Sequence, residues 1–253
     1  MATVILVRHG RTSANASGTL AGRTPGVRLD DTGAGQARRT AERLAPVPLA
    51  RVVSSPLERC KQTSRAILVA RPEAGAEVPL LTDRGLSECD YGEWQGRLLK
   101  DLAKEKLWST VQSQPSAVTF PGGESMAGMQ ARAVGAVRRH DAEVTDGHGD
   151  AGVWVAVSHG DLIKAVLADA LGLHLDLFQR ITVDPASVSI VRYTGARPYV
   201  VSSNTHAGDL SWLRPPPPST DGEGDEGGEG GEGGDGAAED AAVGGGAGPA
   251  VVG

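Results

Sequence analysis

Two short apolar runs, near the beginning and past the middle of the chain, end on the same pair of residues. The first is Val4-Ile5-Leu6-Val7, followed by Arg8-His9-Gly10; the second is Val153-Trp154-Val155-Ala156-Val157, followed by Ser158-His159-Gly160. Four or five apolar residues with no polar alternate are the pattern of a central strand covered on both faces. Helix signals fill the space between and after them. Asp31-Thr32 offers an N-cap for a helix to residue 44, which Pro46 and Pro48 stop. Residues 51–54 read as a strand, and Pro56 suits the first turn of a helix reaching 70. Residues 84–96, with Gly85, Gly92 and Gly96, read as a loop. Helices are expected at 98–108, 124–144 and 161–171, with closing strands at 187–193 and 198–202. Strands alternating with helices imply an α/β fold of three layers, α/β/α, around a mainly parallel sheet.

Charge divides the chain in two. The formal net charge of its 253 residues is −6, but nine of the 31 acidic residues lie between Asp221 and Asp240, where there is no Lys or Arg. Residues 1–220 therefore hold 22 acids against 25 bases and carry +3. Residues 1–214 are expected to form one domain, large enough for a full core. From Pro215 the chain passes through four prolines into a Gly-rich acidic tail, residues 215–253, too poor in apolar side chains to offset the entropy of ordering and expected to be disordered. Such a tail solubilises. It could also act as an autoinhibitor, its carboxylates competing for an anion site in the body.

Several function classes drop out. No apolar run is long enough to span a bilayer, and the N-terminus enters a strand at once with no basic leader, so neither a membrane nor a secreted location is expected. Cys60 and Cys89 make no disulfide framework, which fits a cytoplasmic protein, and both read as ordinary core residues. Scattered arginines with few aromatics argue against nucleic acid. No P-loop, G-x-G-x-x-G or H-E-x-x-H is present, and His and Cys are too scattered for a zinc site, so no metal and no cofactor is expected.

Chemistry gathers at strand ends, where open parallel sheets bind ligands. After the first strand come Arg8, His9 and Gly10, then Thr12, Ser13 and Asn15: a guanidinium, an imidazole, a tight backbone and short donors suited to an oxyanion. If the two strands are neighbours, His9 and His159 converge. Ser54 to Thr63 is a third strand end, and its Arg59 could add a second guanidinium. The loop Leu86 to Gly96 carries Glu88, Asp90 and Glu93, any of which could serve as a general acid if desolvated. His140, His148, His174 and His206 read as surface residues without partners, and Trp94, Trp108 and Phe120 as core.

These segments resemble, in order, the motifs of the histidine phosphatases, the phosphoglycerate mutase-like superfamily. R-H-G-x-T-x-x-N matches Arg8 to Asn15, S-S-x-L-x-R-x-x-Q-T matches Ser54 to Thr63, L-x-E matches Leu86 to Glu88, P-G-G-E-S matches Pro121 to Ser125, and S-H-G matches Ser158 to Gly160. Stretches 159–165 and 180–185 look further like an actinobacterial subgroup. The resemblance implies a phosphoglycerate mutase-like fold over residues 3–205 and a phosphatase of small phosphomonoesters. It implies His9 as nucleophile, Glu88 as proton donor, and Arg8, Arg59, His159, Asn15 and Thr12 around the phosphate, with no metal. It allows a homodimer. Residues 95–125 should form a lid over the leaving group. Many members carry Glu where this chain has Arg11, which leaves local charge and substrate preference in question. A mutase is the alternative, and a non-catalytic phospholigand-binding domain a weaker one.

Overall fold

A computed structural model describes residues 1–71, 78–207, 243, 244 and 246. The tail expected at 215–253, apart from Val243, Gly244 and Gly246, and the disorder expected of it lie outside the described residues.

The fold is α/β, with a six-stranded, mostly parallel sheet in the order β3-β2-β4-β1-β5-β6. Its strands are β1 (Thr3–Arg8), β2 (Arg51–Ser54), β3 (Leu80–Thr82), β4 (Val153–Ser158), β5 (Val188–Arg192) and β6 (Tyr199–Thr205). The two apolar runs are indeed neighbours: β1 pairs in parallel with β4, Arg8 opposite Ser158. β2 extends the parallel set on the far side of β4, and β5 and β6 close the other edge antiparallel. His9 and His159 therefore leave adjacent strands at the same level.

Alternation along the strands builds two cores. Ile5 and Val7 of β1 and Val155 and Val157 of β4 face α2 (Asp31–Leu44) and α3 (Glu58–Val69), joining Ala41, Leu44, Cys60 and Ile67. Val4, Leu6, Trp154 and Ala156 face the opposite layer, built from α6 (Met126–His148) and α7 (Gly160–Leu171), with Met129, Val137, Leu162 and Val166. A strand apolar on both faces needs helices on both, which is the three-layer arrangement expected. α7 is buried almost all round, as a helix apolar on every face must be.

Several boundaries differ from the sequence expectation, each for a local reason. The cap of α2 is Asp30, whose carboxylate accepts from Gly33 N at 2.7 Å, rather than Asp31 or Thr32. Pro56 precedes α3, which Leu57 caps. The helix expected at 98–108 is two short ones, α4 (Leu99–Leu102) and α5 (Trp108–Ser113), and α6 runs on to His148, where Gly149 at φ +71° ends it. β3 was not expected; it is a three-residue edge strand whose residues are all exposed, so no burial pattern marks it. The four residues Ser13–Ala16 form one further turn, α1.

Gly10 earns its place differently from the ligand approach its position suggests. A Cβ there would lie 2.3 Å from Gly33 O, and one on Gly33 would lie 1.9 Å from Arg11 O. The two glycines let the loop after β1 press backbone to backbone against the first turn of α2.

Candidate active site

His9 is 3% exposed, and its two ring nitrogens have partners of opposite kind. Nδ1 lies 2.8 Å from Gly10 O, which can only accept; Nε2 lies 3.1 Å from Arg59 Nε, which can only donate. The partners assign the proton to Nδ1 and leave a lone pair on Nε2. Burial first, then the charges of Arg59 and Arg8, hold the imidazole's pKa well below its ordinary value. His9 is thus neutral at physiological pH, its Nε2 lone pair beside a guanidinium.

His159 is held the other way round. Arg59 Nη2 donates to its Nδ1 at 3.2 Å, and its Nε2 lies 2.8 Å from Ser55 Oγ and 3.4 Å from Cys60 Sγ. Desolvation and then Arg59 push its pKa well down as well. The two rings sit edge to face with centroids 5.2 Å apart, so strand-end convergence is realised.

Arg59 links them. α3 starts where β2 ends, and Arg59, in its first turn, reaches His9, His159 and Gly22 O, the last at 2.8 Å. Its Nη1 is buried with no hydrogen-bond partner among the described residues, a donor available to an anion. Arg8 is fully buried and donates from Nη1 to Val183 O at 2.8 Å. Thr12 and Asn15 form a reciprocal cap of α1: Asn15 N donates to Thr12 Oγ1, and Asn15 Oδ1 accepts from Thr12 N and Oγ1. With its oxygen so engaged, Asn15 can offer an anion only its amide nitrogen.

The three candidate acids separate by environment. Glu93 is exposed, and Asp90 pairs with Arg23 at 3.3 Å. Glu88 is 2% exposed, faces the pocket, and accepts from Cys89 N at 2.9 Å. Desolvation, then the neighbouring charge of Asp161, raises its pKa to about 7. Of the three, Glu88 is therefore the carboxyl whose surroundings let it keep a proton near neutrality.

The pocket is lined by His9, Thr12, Asn15, Arg59 and Glu88 and by the uncharged Ala14, Gly18, Thr19, Leu20, Ala21 and Leu99. Of the expected lid only Leu99 reaches it; Trp94, Trp108 and Phe120 are core, as expected. Arg8 and His159 stand behind this lining. Arg11 turns away, its guanidinium bonded to Asp30 and Thr32 at the start of α2, so the unusual residue adds no charge to the pocket.

Val243, Gly244 and Gly246, from the far end of the acidic tail, also line it. Gly246 O accepts from Arg8 Nη2 at 2.9 Å, and Gly244 N donates to Asp161 Oδ2 at 2.8 Å. The tail's carboxylates, between Asp221 and Asp240, lie outside the described residues.

Sequence reasoning missed the groups that hold Glu88. Arg132, on α6, donates to Gly85 O, Ser87 O and Glu88 O at 2.9, 2.8 and 3.0 Å and to both oxygens of Glu124. Arg23 donates to Glu88 O at 2.9 Å and to Glu124 Oε1 at 2.8 Å. Asp161, behind Glu88, accepts from Tyr91 Oη at 2.7 Å. The P-G-G-E-S segment carried one signal of this, an acid at Glu124 with no assigned work. His140 is a correction: it is buried on α6, 2.9 Å from Asp83, because that helix packs over the Asp83 turn. His174 and His206 are exposed, as expected, but each has an acidic partner, Asp176 and Asp184. Among the described residues no group of His, Cys, Asp and Glu could hold a metal ion, and no helix is long and apolar enough to cross a membrane.

Residues 4–206 match the family model described as the histidine phosphatase superfamily, branch 1. The chain is 31% identical over 187 residues to 2,3-bisphosphoglycerate-dependent phosphoglycerate mutase 2 of Gloeobacter violaceus, covering 73% of this chain and 82% of that one. It is 29% identical over 217 residues to phosphoserine phosphatase 1 of Hydrogenobacter thermophilus, covering 83% and 96%. Among solved structures, phosphoserine phosphatase of Entamoeba histolytica superposes with a TM-score of 0.71 over 82% of this chain and 98% of that one, at 21% identity.

Proposed function

Since the chain belongs to the histidine phosphatase superfamily, we propose that it cleaves small phosphomonoesters through a phosphohistidine on His9. Residues 1–214 are the proposed catalytic unit, acting in the cytoplasm. One observation carries the reading: a neutral His9, its Nε2 lone pair aimed at a buried guanidinium, shares a pocket with a carboxyl of pKa about 7.

In the first step the substrate phosphate takes over the Arg59 Nε–H that now caps His9 Nε2. The freed lone pair attacks phosphorus in line, the P–N bond forming as the P–O bond to the leaving group breaks. Arg59, Arg8 and the Asn15 amide nitrogen hold the equatorial oxygens, Thr12 keeping Asn15 in place through both of its donors, and the fixed guanidinium groups offset charge that builds in the transition state. His159 joins them by taking up a proton with the dianion, whose charge opposes the desolvation that keeps the ring neutral. Glu88 gives its proton to the leaving oxygen, then draws one from the water that attacks phosphohistidine. Arginine charge does the work a metal would otherwise do.

Relatives named for mutase and for phosphatase activity both match, so the names do not choose between hydrolysis and transfer to a second hydroxyl. The pocket favours hydrolysis. Beyond Arg59 its described lining holds no cation, and the carboxylate of a phosphoglycerate would find no counter-charge there. A non-catalytic phospholigand-binding role leaves His9 and Glu88 unexplained.

The test is turnover of a generic aryl phosphate by wild type and His9→Ala, with and without chelator. Loss of about 10³-fold or more in His9→Ala with no effect of chelator is expected. Undiminished His9→Ala turnover would remove the nucleophile, strong chelator inhibition would remove the metal-free mechanism, and faster interconversion of phosphoglycerates than hydrolysis would make the protein a mutase.

A further inference from the structure

Three residues from near the end of the chain, Val243, Gly244 and Gly246, line the pocket. Val243 is 3% exposed and belongs to the same apolar cluster as Leu20 and Tyr91. Gly244 N–H is bonded to Asp161, and Gly246 O receives a hydrogen bond from Arg8, one of the two arginines placed at the phosphate. Gly244 has φ +75°, and a Cβ on it would lie 2.8 Å from Leu20 Cδ1, so the backbone conformation and the space both call for glycine.

We propose that Val243, Gly244 and Gly246 of the tail form a built-in competitor that docks in the active site and must leave before a phosphomonoester binds productively. The proposal rests on the phosphatase reading only in taking phosphate as the pocket's ligand. The docked groups among the described residues are neutral, and the tail's carboxylates lie outside the described residues. A carboxylate here would be desolvated beside Glu88 and Asp161, two acidic groups already close enough that the second raises the pKa of the first. A peptide carbonyl offers Arg8 an acceptor without adding a third negative charge.

The competition is weak by construction. A connection of about 35 residues keeps the segment near the site at an effective concentration on the order of millimolar. A phosphate dianion makes charge-assisted bonds to Arg8 where Gly246 makes a neutral one, so substrate wins once its concentration is high enough. The segment therefore raises the apparent KM and leaves kcat alone, in proportion to the fraction of molecules whose site is covered.

Two full-length variants test this. Val243→Asp places a charge in the buried apolar position, and Gly244→Ala puts a Cβ against Leu20. Both lie outside the catalytic body and leave it folded. Inorganic phosphate binding, followed by calorimetry, is expected to tighten about tenfold in Val243→Asp, the change for a site nine-tenths covered in wild type, and less in Gly244→Ala. KM for an aryl phosphate should fall in parallel at constant kcat, and a synthetic peptide of residues 236–253 should inhibit Val243→Asp competitively. Unchanged phosphate affinity in both variants, or a peptide without effect, overturns the proposal. Tighter phosphate binding with no aryl phosphate turnover by any form would sustain the docking and remove the hydrolytic reading instead.

Discussion

Opposite tautomers on two neighbouring histidines divide the chemistry between them. His9 keeps its lone pair toward the pocket because Gly10 O claims the Nδ1 proton, while His159 spends both nitrogens on Arg59 and Ser55. On the proposed mechanism, Glu88 sets the pH dependence. Its carboxyl titrates near 7 in the folded protein, so the protonated acid is present below that pH and lost above it. With an alkyl phosphate, whose leaving oxygen needs the proton, kcat should fall about tenfold per pH unit well above 7. A nitrophenyl phosphate should show little of that fall, and Glu88→Gln should abolish the limb while cutting alkyl phosphate turnover by about 10²-fold or more. His9, with its depressed pKa, places the acidic limb well below pH 6.5. Stopped assays of both esters from pH 5 to 9 would show this; equal fall for both leaving groups would speak against Glu88 as the acid.

Elements position those residues, and here the sequence was legible unevenly. The ends of β1, β2 and β4 could be found because each motif is continuous in the chain and follows a run of buried aliphatics. Arg23 and Arg132 could not, since their work is done on Glu88 O, 65 and 44 residues away in sequence, and only the tertiary fold brings them together. They fix the backbone of Glu88 from two sides, with Glu124 bridging them, and so act through the acid without touching substrate. Arg132→Ala should therefore reduce alkyl phosphate kcat about tenfold more than nitrophenyl phosphate kcat, with KM for either nearly unchanged. Arg132→Lys, which keeps charge but not the fork of donors, should recover little. An equal loss on both esters would indicate damage to the fold instead. The seam between the β1 loop and α2 carries its own prediction. Gly10→Ala forces a Cβ to 2.3 Å from Gly33 O, so thermal melting should show a loss of about 1–3 kcal/mol or more, through overpacking that neither backbone can relieve.

Across the whole molecule, the sheet order was less accessible than its parts. Alternating strand and helix signals imply three layers, but nothing local says that β4 inserts between β1 and β2, and that insertion is what seats His159 beside His9 and Arg59. The exposed edge strand β3 and the split of α4 from α5 were unreadable for the opposite reason, too few buried residues to set a period. The charge division was readable from composition, but nothing in it says that two glycines of the tail, Gly246 and Gly244, reach Arg8 and Asp161. All of this serves a single chemical claim, that phosphate passes through His9. The direct measurement is rapid acid-free quenching of a 32P-labelled ester in mid-turnover, followed by peptide mapping. One phosphoryl group per chain, stable to alkali, labile to acid, located on His9 and missing from His9→Ala, is the predicted result. Turnover with no phosphoenzyme on any histidine, or with the label on another residue, would contradict it.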